Sequence, residues 1–133
     1  MPEDGYLFDT VTLANFALSG TLDLLTMRYG HAVKLTEEVQ DEIADGVVNG
    51  YTALETIQEY VKAQKFGIVT LTGQERQVYN QFLRQIDPGE ASCIAAASFR
   101  TAVVVTDDRA ARVCCTEKNI PVTGTVGILK ARC

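Results

Sequence analysis

Positive charge is scarce in this chain of 133 residues: Lys and Arg total 12 against 17 Asp and Glu, for a net charge of -5. A broad basic surface of the kind that grips nucleic acid through its phosphates is therefore excluded. Any such role needs a local basic strip, a metal ion or another subunit. Cysteine occurs four times, at Cys93, Cys114, Cys115 and Cys133, but never in C-x-x-C spacing, so no zinc or redox motif is present. Adjacent Cys114 and Cys115 diverge on a helix, and all four read as free thiols, buried or partly buried, of a reducing cytoplasm. No apolar run reaches membrane-spanning length, and the acidic opening "MPEDGYLF" lacks a signal-peptide pattern. Neither a Gly-rich phosphate loop nor a Ser-His-Asp signature is found. The single histidine, His31, precedes a strand, and a lone His in a turn is more often structural or exposed than a base. Repeats, low-complexity tracts and linkers are also lacking, so residues 1–133 read as one domain. Its composition is that of a globular protein, with 47% hydrophobic and 22% charged residues.

What the chain does contain is an alternation of short apolar runs and helical patterns. "GYLFDTV" reads as a buried strand ending in an acid, Asp9. Leu13, Phe16 and Ala17 then fall at helical spacing before Gly20, and Leu22, Leu25 and Met27 before Gly30, with Thr21 as a cap. "HAVKL", from His31 to Leu35, is a second strand, and Thr36 caps a helix whose Val39, Ile43 and Val47 share a face. "TALE" from Thr52 and "TGQE" from Thr72 read as capping boxes flanking a strand "FGIVTL". "DPGE" turns into the helix "ASCIAAASF", followed by the strand "AVVVT", the helix "RAARVCCTEKN", a short strand near Pro121 and Val122, and a helical turn in "TVGILKA". Strands interleaved with helices imply a parallel sheet covered on both faces.

In such a sheet, ligands bind at the carboxyl ends of the strands. Asp9 ends the first strand, and Asp107 and Asp108 end "AVVVT". Glu42, between Val39 and Ile43, and Glu90, in the first turn of "EASCIAAA", can reach the same edge. Each has a plain structural alternative. Asp107 or Asp108 can cap the helix from Arg109, Glu90 can answer a helix dipole, and Glu42 can belong to a solvated acidic stripe with Glu37, Glu38, Asp41 and Asp45. Asp9 is harder to explain so, because an acid closing an apolar strand is costly to desolvate unless paired or bound to a cation. Converging carboxylates raise one another's pKa unless a cation relieves them, and hard divalent cations prefer oxygen ligands.

Four stretches, "FDTVTLANF", "LTEEVQDEI", "GEASCIAAA" and "VVVTDDRAARVCCTEKNIPVTGTVGIL", resemble the PIN-domain family, in particular its compact prokaryotic members such as the VapC-type toxin ribonucleases. The resemblance implies an α/β/α sandwich and a Mg²⁺- or Mn²⁺-dependent endoribonuclease of the cytoplasm. Asp9, Glu42, Glu90 and Asp108 would be the four acids, with Asp9, Asp107, Asp108 and Glu90 toward the metal. Thr10 and Thr106 would steady the carboxylates. Arg109 and Arg112 would meet phosphate. It also implies an RNA substrate, a small antitoxin partner and a homodimer. Many toxin members carry Asp where this chain has Glu90. The alternative is a PIN-like binding or scaffold protein that cuts weakly. A receiver-like domain ranks below both, since the late strands "AVVVT" and "IPVTG" offer no Lys.

Overall fold

The structure is a computed structural model that describes residues 1–130. Five strands, β1 (Tyr6–Phe8), β2 (Val33–Thr36), β3 (Gly67–Val69), β4 (Val103–Val105) and β5 (Val122–Thr123), form one sheet in the order β3-β2-β1-β4-β5. Every pairing is parallel, with Leu7 opposite Lys34 on one side and Val104 on the other. Eight α-helices among the described residues complete a three-layer α/β/α sandwich. They are α1 (Thr10–Leu18), α2 (Leu22–Tyr29), α3 (Glu37–Val48), α4 (Glu55–Lys62), α5 (Gly73–Phe82), α6 (Pro88–Ala97), α7 (Arg109–Glu117) and α8 (Thr125–Lys130).

β1 lies at the centre, so the chain runs outward to β2 and β3 and then returns to the other side as β4 and β5. The reversal opens between the carboxyl ends of β1 and β4, where a doubly wound sheet leaves its crevice. Leu7, Phe8, Val104 and Val105 are buried there, which places Asp9 and Thr106 beside each other at the rim. α6 explains why the sequence needs an alanine-rich helix. From Ala91 to Ala97 every residue is buried, and α6 packs against α3, α5, α7 and the central strands. A helix covered all round is apolar all round, and small side chains let its neighbours approach.

Local signals succeed in some places and not in others. Thr36 caps α3 through the Val39 N–H, and Thr72 with Glu75 forms the expected capping box on α5. Thr21 precedes α2 but makes no forward cap, because its hydroxyl turns back to the Phe16 carbonyl. The box at Thr52–Glu55 does not form either: Thr52–Leu54 winds into a 3₁₀ turn and α4 starts without a side-chain cap. Leu54 is drawn down against Gly46, where an added Cβ would stand 2.4 Å from its Cδ1, and that packing outweighs a surface cap. The run from His31 begins with a 3₁₀ turn, Gly30–Ala32, and the strand proper starts at Val33. His31 is exposed there. Cys93 and Cys115 are buried free thiols and Cys114 a partly buried one. Cys133 and the last residue of the predicted turn "TVGILKA" lie outside the described residues. No helix among those described is long and apolar enough to cross a membrane.

Candidate active site

Asp9 follows β1 directly and is 2% exposed. It is the N-cap of α1: one carboxylate oxygen accepts the Thr12 N–H at 2.8 Å, and the other accepts the Thr106 hydroxyl at 2.5 Å. The Thr106 hydroxyl also accepts the Asp108 N–H at 3.1 Å, so one side chain at the end of β4 ties both acids together. Burial raises the Asp9 pKa, and the hydrogen bonds from Thr106 and Thr12 only partly offset it.

Glu42 reaches the same place from α3. Its carboxylate accepts the Thr10 hydroxyl at 2.5 Å and the Gly89 N–H at 3.2 Å, which links α3 to the first turns of α1 and α6. Gly89 leaves room for the Glu42 carboxylate: a Cβ there would lie 2.1 Å from Glu42 Oε1 and 3.1 Å from Thr10 Oγ1, so Glu42 would have to shift. Beneath it, the buried hydroxyls of Thr36 and Ser92 bond each other at 2.6 Å, and Ser92 also donates to the Gly89 carbonyl. Glu90 projects next to them and its pKa is raised to about 7, by burial first and then by the charges of Asp108, Asp9, Asp87 and Glu42.

The two adjacent acids after β4 divide. Asp108 caps α7 through the Ala111 N–H at 2.9 Å and remains the strongest charged neighbour of Glu90. Asp107 turns to α8, where it accepts both the backbone N–H and the hydroxyl of Thr125. Gly124 makes room for this bond, since a Cβ there would stand 2.3 Å from Asp107 Oδ1. Arg112 donates to the Thr106 carbonyl at 3.2 Å, and Arg109 is exposed beside it.

An open cleft of about 360 Å³ collects Asp9, Thr10, Glu42 and Glu90, together with Asp45 and Asp87. Asp108 stands next to Glu90 without lining that cleft. Asp107, Arg109 and Arg112 border a separate hollow of about 500 Å³. The sequence reading missed Asp45 and Asp87 as cleft acids. Asp45 follows Glu42 by three residues on one helix, a spacing that puts both on the same face and signals it. The Thr12 N–H, Ser92 and Gly89 carried no such local sign.

The donor set suits a hard divalent cation: among the described residues every ionisable group lining the cleft is a carboxylate, and the Glu90 pKa is raised by burial first and then by the charge of its neighbours. Among the described residues no three His, Cys, Asp or Glu side chains are already gathered as a ligand cluster.

A family model described as a PIN domain matches residues 6–132. Among solved structures the chain is similar to VapBC2 from Rickettsia felis, crystallised bound to a DNA fragment from their promoter. The TM-score is 0.56 and the identity 14%, over 90% of this chain and 97% of that one. At that identity the likeness shows the fold. No curated protein matches the chain.

Proposed function

The chain belongs to the PIN-domain family, and on that premise we propose that it is a divalent-metal-dependent endoribonuclease whose site is the acidic cleft between β1 and β4. The observation that carries this reading is the convergence of Asp9, Glu42 and Glu90 in one cleft that no Lys or Arg lines among the described residues. Asp9 and Asp108 would hold Mg²⁺ or Mn²⁺ directly and Glu42 and Glu90 through water, and the ion would supply a lowered pKa of water and neutralisation of charge on phosphate oxygens. Asp107 is left out of this ligand set because it turns to Thr125 and borders the separate hollow rather than the cleft.

The chain's own residues prepare the site. Thr106 and the Thr12 N–H hold Asp9 in one orientation, and Thr10 and the Gly89 N–H do the same for Glu42. Rigid carboxylates cost no reorganisation when charge develops on the phosphate. Glu90 lines the same cleft, and without a cation, burial and the neighbouring acids raise its pKa to about 7. Arg109 is placed to meet a neighbouring phosphate, while Arg112 braces the Thr106 carbonyl. The likeness of fold to VapBC2 supports a small antitoxin partner, and the family resemblance supports a homodimer in the cytoplasm, with residues 1–133 acting as one domain.

The test is cleavage of a set of labelled RNAs with Mg²⁺ or Mn²⁺ and with chelator, by the parent and by Asp9→Asn. Metal-dependent cleavage by the parent and its loss by orders of magnitude in the variant is the expected result. Equal cleavage by both removes this cleft from consideration. A weakly cutting nucleic-acid-binding or scaffold protein is the second reading, favoured by the lack of a gathered ligand cluster among the described residues. It predicts RNA retention without cleavage in either metal.

A further inference from the structure

Polar side chains buried in the core gather at one edge of the sheet. Asp9, Thr12, Thr36, Ser92 and Thr106 stand at the carboxyl ends of the strands, and among the described residues only Glu75, paired with Arg100, is buried elsewhere. Asp9, Thr12 and Thr106 are joined through the Asp9 carboxylate. Thr36 and Ser92 are fully buried, yet their hydroxyls bond no carboxylate and do not line the cleft. A buried hydroxyl is costly unless satisfied, and an apolar side chain of similar size avoids that cost.

The hydrogen bonds of this pair run in one direction. The Ser92 hydroxyl donates to the Gly89 carbonyl at 2.6 Å, so at its 2.6 Å contact with Thr36 it accepts. Thr36 therefore donates to Ser92 and accepts from the Val39 N–H at 3.1 Å. The chain begins at the cap of α3 and ends at Gly89 in the first turn of α6. Those are the helices that carry Glu42 and Glu90.

The two helices meet closely where their register matters. The Gly89 N–H reaches Glu42 Oε2 at 3.2 Å, while a Cβ at Gly89 would stand 2.1 Å from the other oxygen. The Gly89 backbone thus lies hard against the carboxylate. If α6 slides along α3, either that bond breaks or the carboxylate is pushed off the Thr10 hydroxyl. Apolar packing is non-directional and resists such a slide weakly. A satisfied pair of buried hydroxyls specifies one arrangement.

We infer that Thr36 and Ser92 are positioning residues, whose hydroxyl chain fixes α6 against α3 so that Glu42 and Glu90 are presented together to the cation. The inference rests on the nuclease reading and adds to it the groups that keep two acids of different helices in place.

The experiment measures Mn²⁺ affinity by calorimetric titration, at a temperature where every protein is folded, and melting in chelator. The proteins are the parent, Ser92→Ala, Thr36→Ser and Thr72→Ala. Thr72 caps α5 and does not line the cleft, so its variant is destabilised for another reason. Ser92→Ala is expected to bind Mn²⁺ about tenfold more weakly, in the range of losing a group that orients a metal ligand. Thr36→Ser keeps the hydroxyl, and it and Thr72→Ala bind as the parent does. If Ser92→Ala does not fold, Ser92→Cys, with its weaker donor, is read by the same criterion. Parental affinity in a folded Ser92 variant, with only the melting temperature lowered, overturns the inference and leaves the nuclease reading standing. Equal weakening in Thr36→Ser or Thr72→Ala does the same, because the loss then follows stability and not the hydroxyls. A parent that binds no Mn²⁺ overturns the cation site and this inference together.

Discussion

Asp9 has two jobs that a substitution can separate. It caps α1, and it sits buried where a cation would bind. Asn caps a helix about as well as Asp and still accepts from the Thr12 N–H, but it lacks the charge. In chelator, Asp9→Asn should therefore melt at or above the parental temperature, because one repelling charge is gone. Asp9→Ala loses the cap as well and should cost about 1 kcal/mol. Thermal melts of both variants in chelator check this, and a strongly destabilised Asn variant would make the charge itself structural. Gly89 gives a second residue-scale prediction. Gly89→Ala drives a methyl group into Glu42 Oε1 and Thr10 Oγ1, and Glu42 is held in place by both neighbours. Relief comes from moving the Glu42 carboxylate out of its bonds to Thr10 and Gly89, so stability should change by less than about 1 kcal/mol, Ala being the better helix former. Metal-dependent cleavage should fall, and denaturant melts alongside cleavage assays measure the two effects.

Helices here are joined to the site by caps rather than by packing alone. Asp108 caps α7 in front of its first turn, while Asp107, one residue earlier, holds the start of α8. α8 is further fixed by the Tyr29 hydroxyl, which donates to the Ile128 carbonyl at 2.6 Å. Asp107→Ala should thus act as the loss of a helix cap, about 1 kcal/mol, and leave cleavage near the parental rate. Asp108→Ala should lose a similar amount of stability and the metal response as well. A titration of Mn²⁺ against melting temperature distinguishes them: the response survives in the Asp107 variant and weakens in the Asp108 variant.

For the whole molecule, the acidic cleft makes stability depend on pH. The folded protein raises Glu90 from an ordinary 4.5 to about 7, and Asp9 is raised as well. Between about 4.5 and about 7 the folded state therefore holds more protons at Glu90 than the unfolded state. Its contribution to stability is present below that window and is lost as pH rises through it. In chelator, the melting temperature of the parent should fall relative to Glu90→Gln over this range. Millimolar Mn²⁺ should reverse the trend. A cation prefers the ionised carboxylates and stabilises only the folded state, by about 2.7 kcal/mol at a concentration 100 times its Kd. Parallel curves for the two proteins with and without Mn²⁺ would count against a cation site.

The order of strands and helices, the parallel sheet and the caps at Thr36 and Thr72 were legible in the sequence, because apolar periodicity and capping act within a few residues. The same holds for Asp9, Asp107 and Asp108 as acids at strand ends. Tertiary structure decided the rest. It chose Glu42 from an acidic helix by giving it Thr10, 32 residues away, and Gly89, 47 residues away. It split Asp107 from Asp108 by bringing Thr125 to one of them, and it displaced the cap at Thr52 by burying Leu54 against Gly46. The choices at Glu42 and Asp107 depend on contacts made only after the chain has left the site and returned, and Leu54 meets Gly46 only once the chain has turned back on α3, so a capping pattern four residues long carries the position of none of these partners.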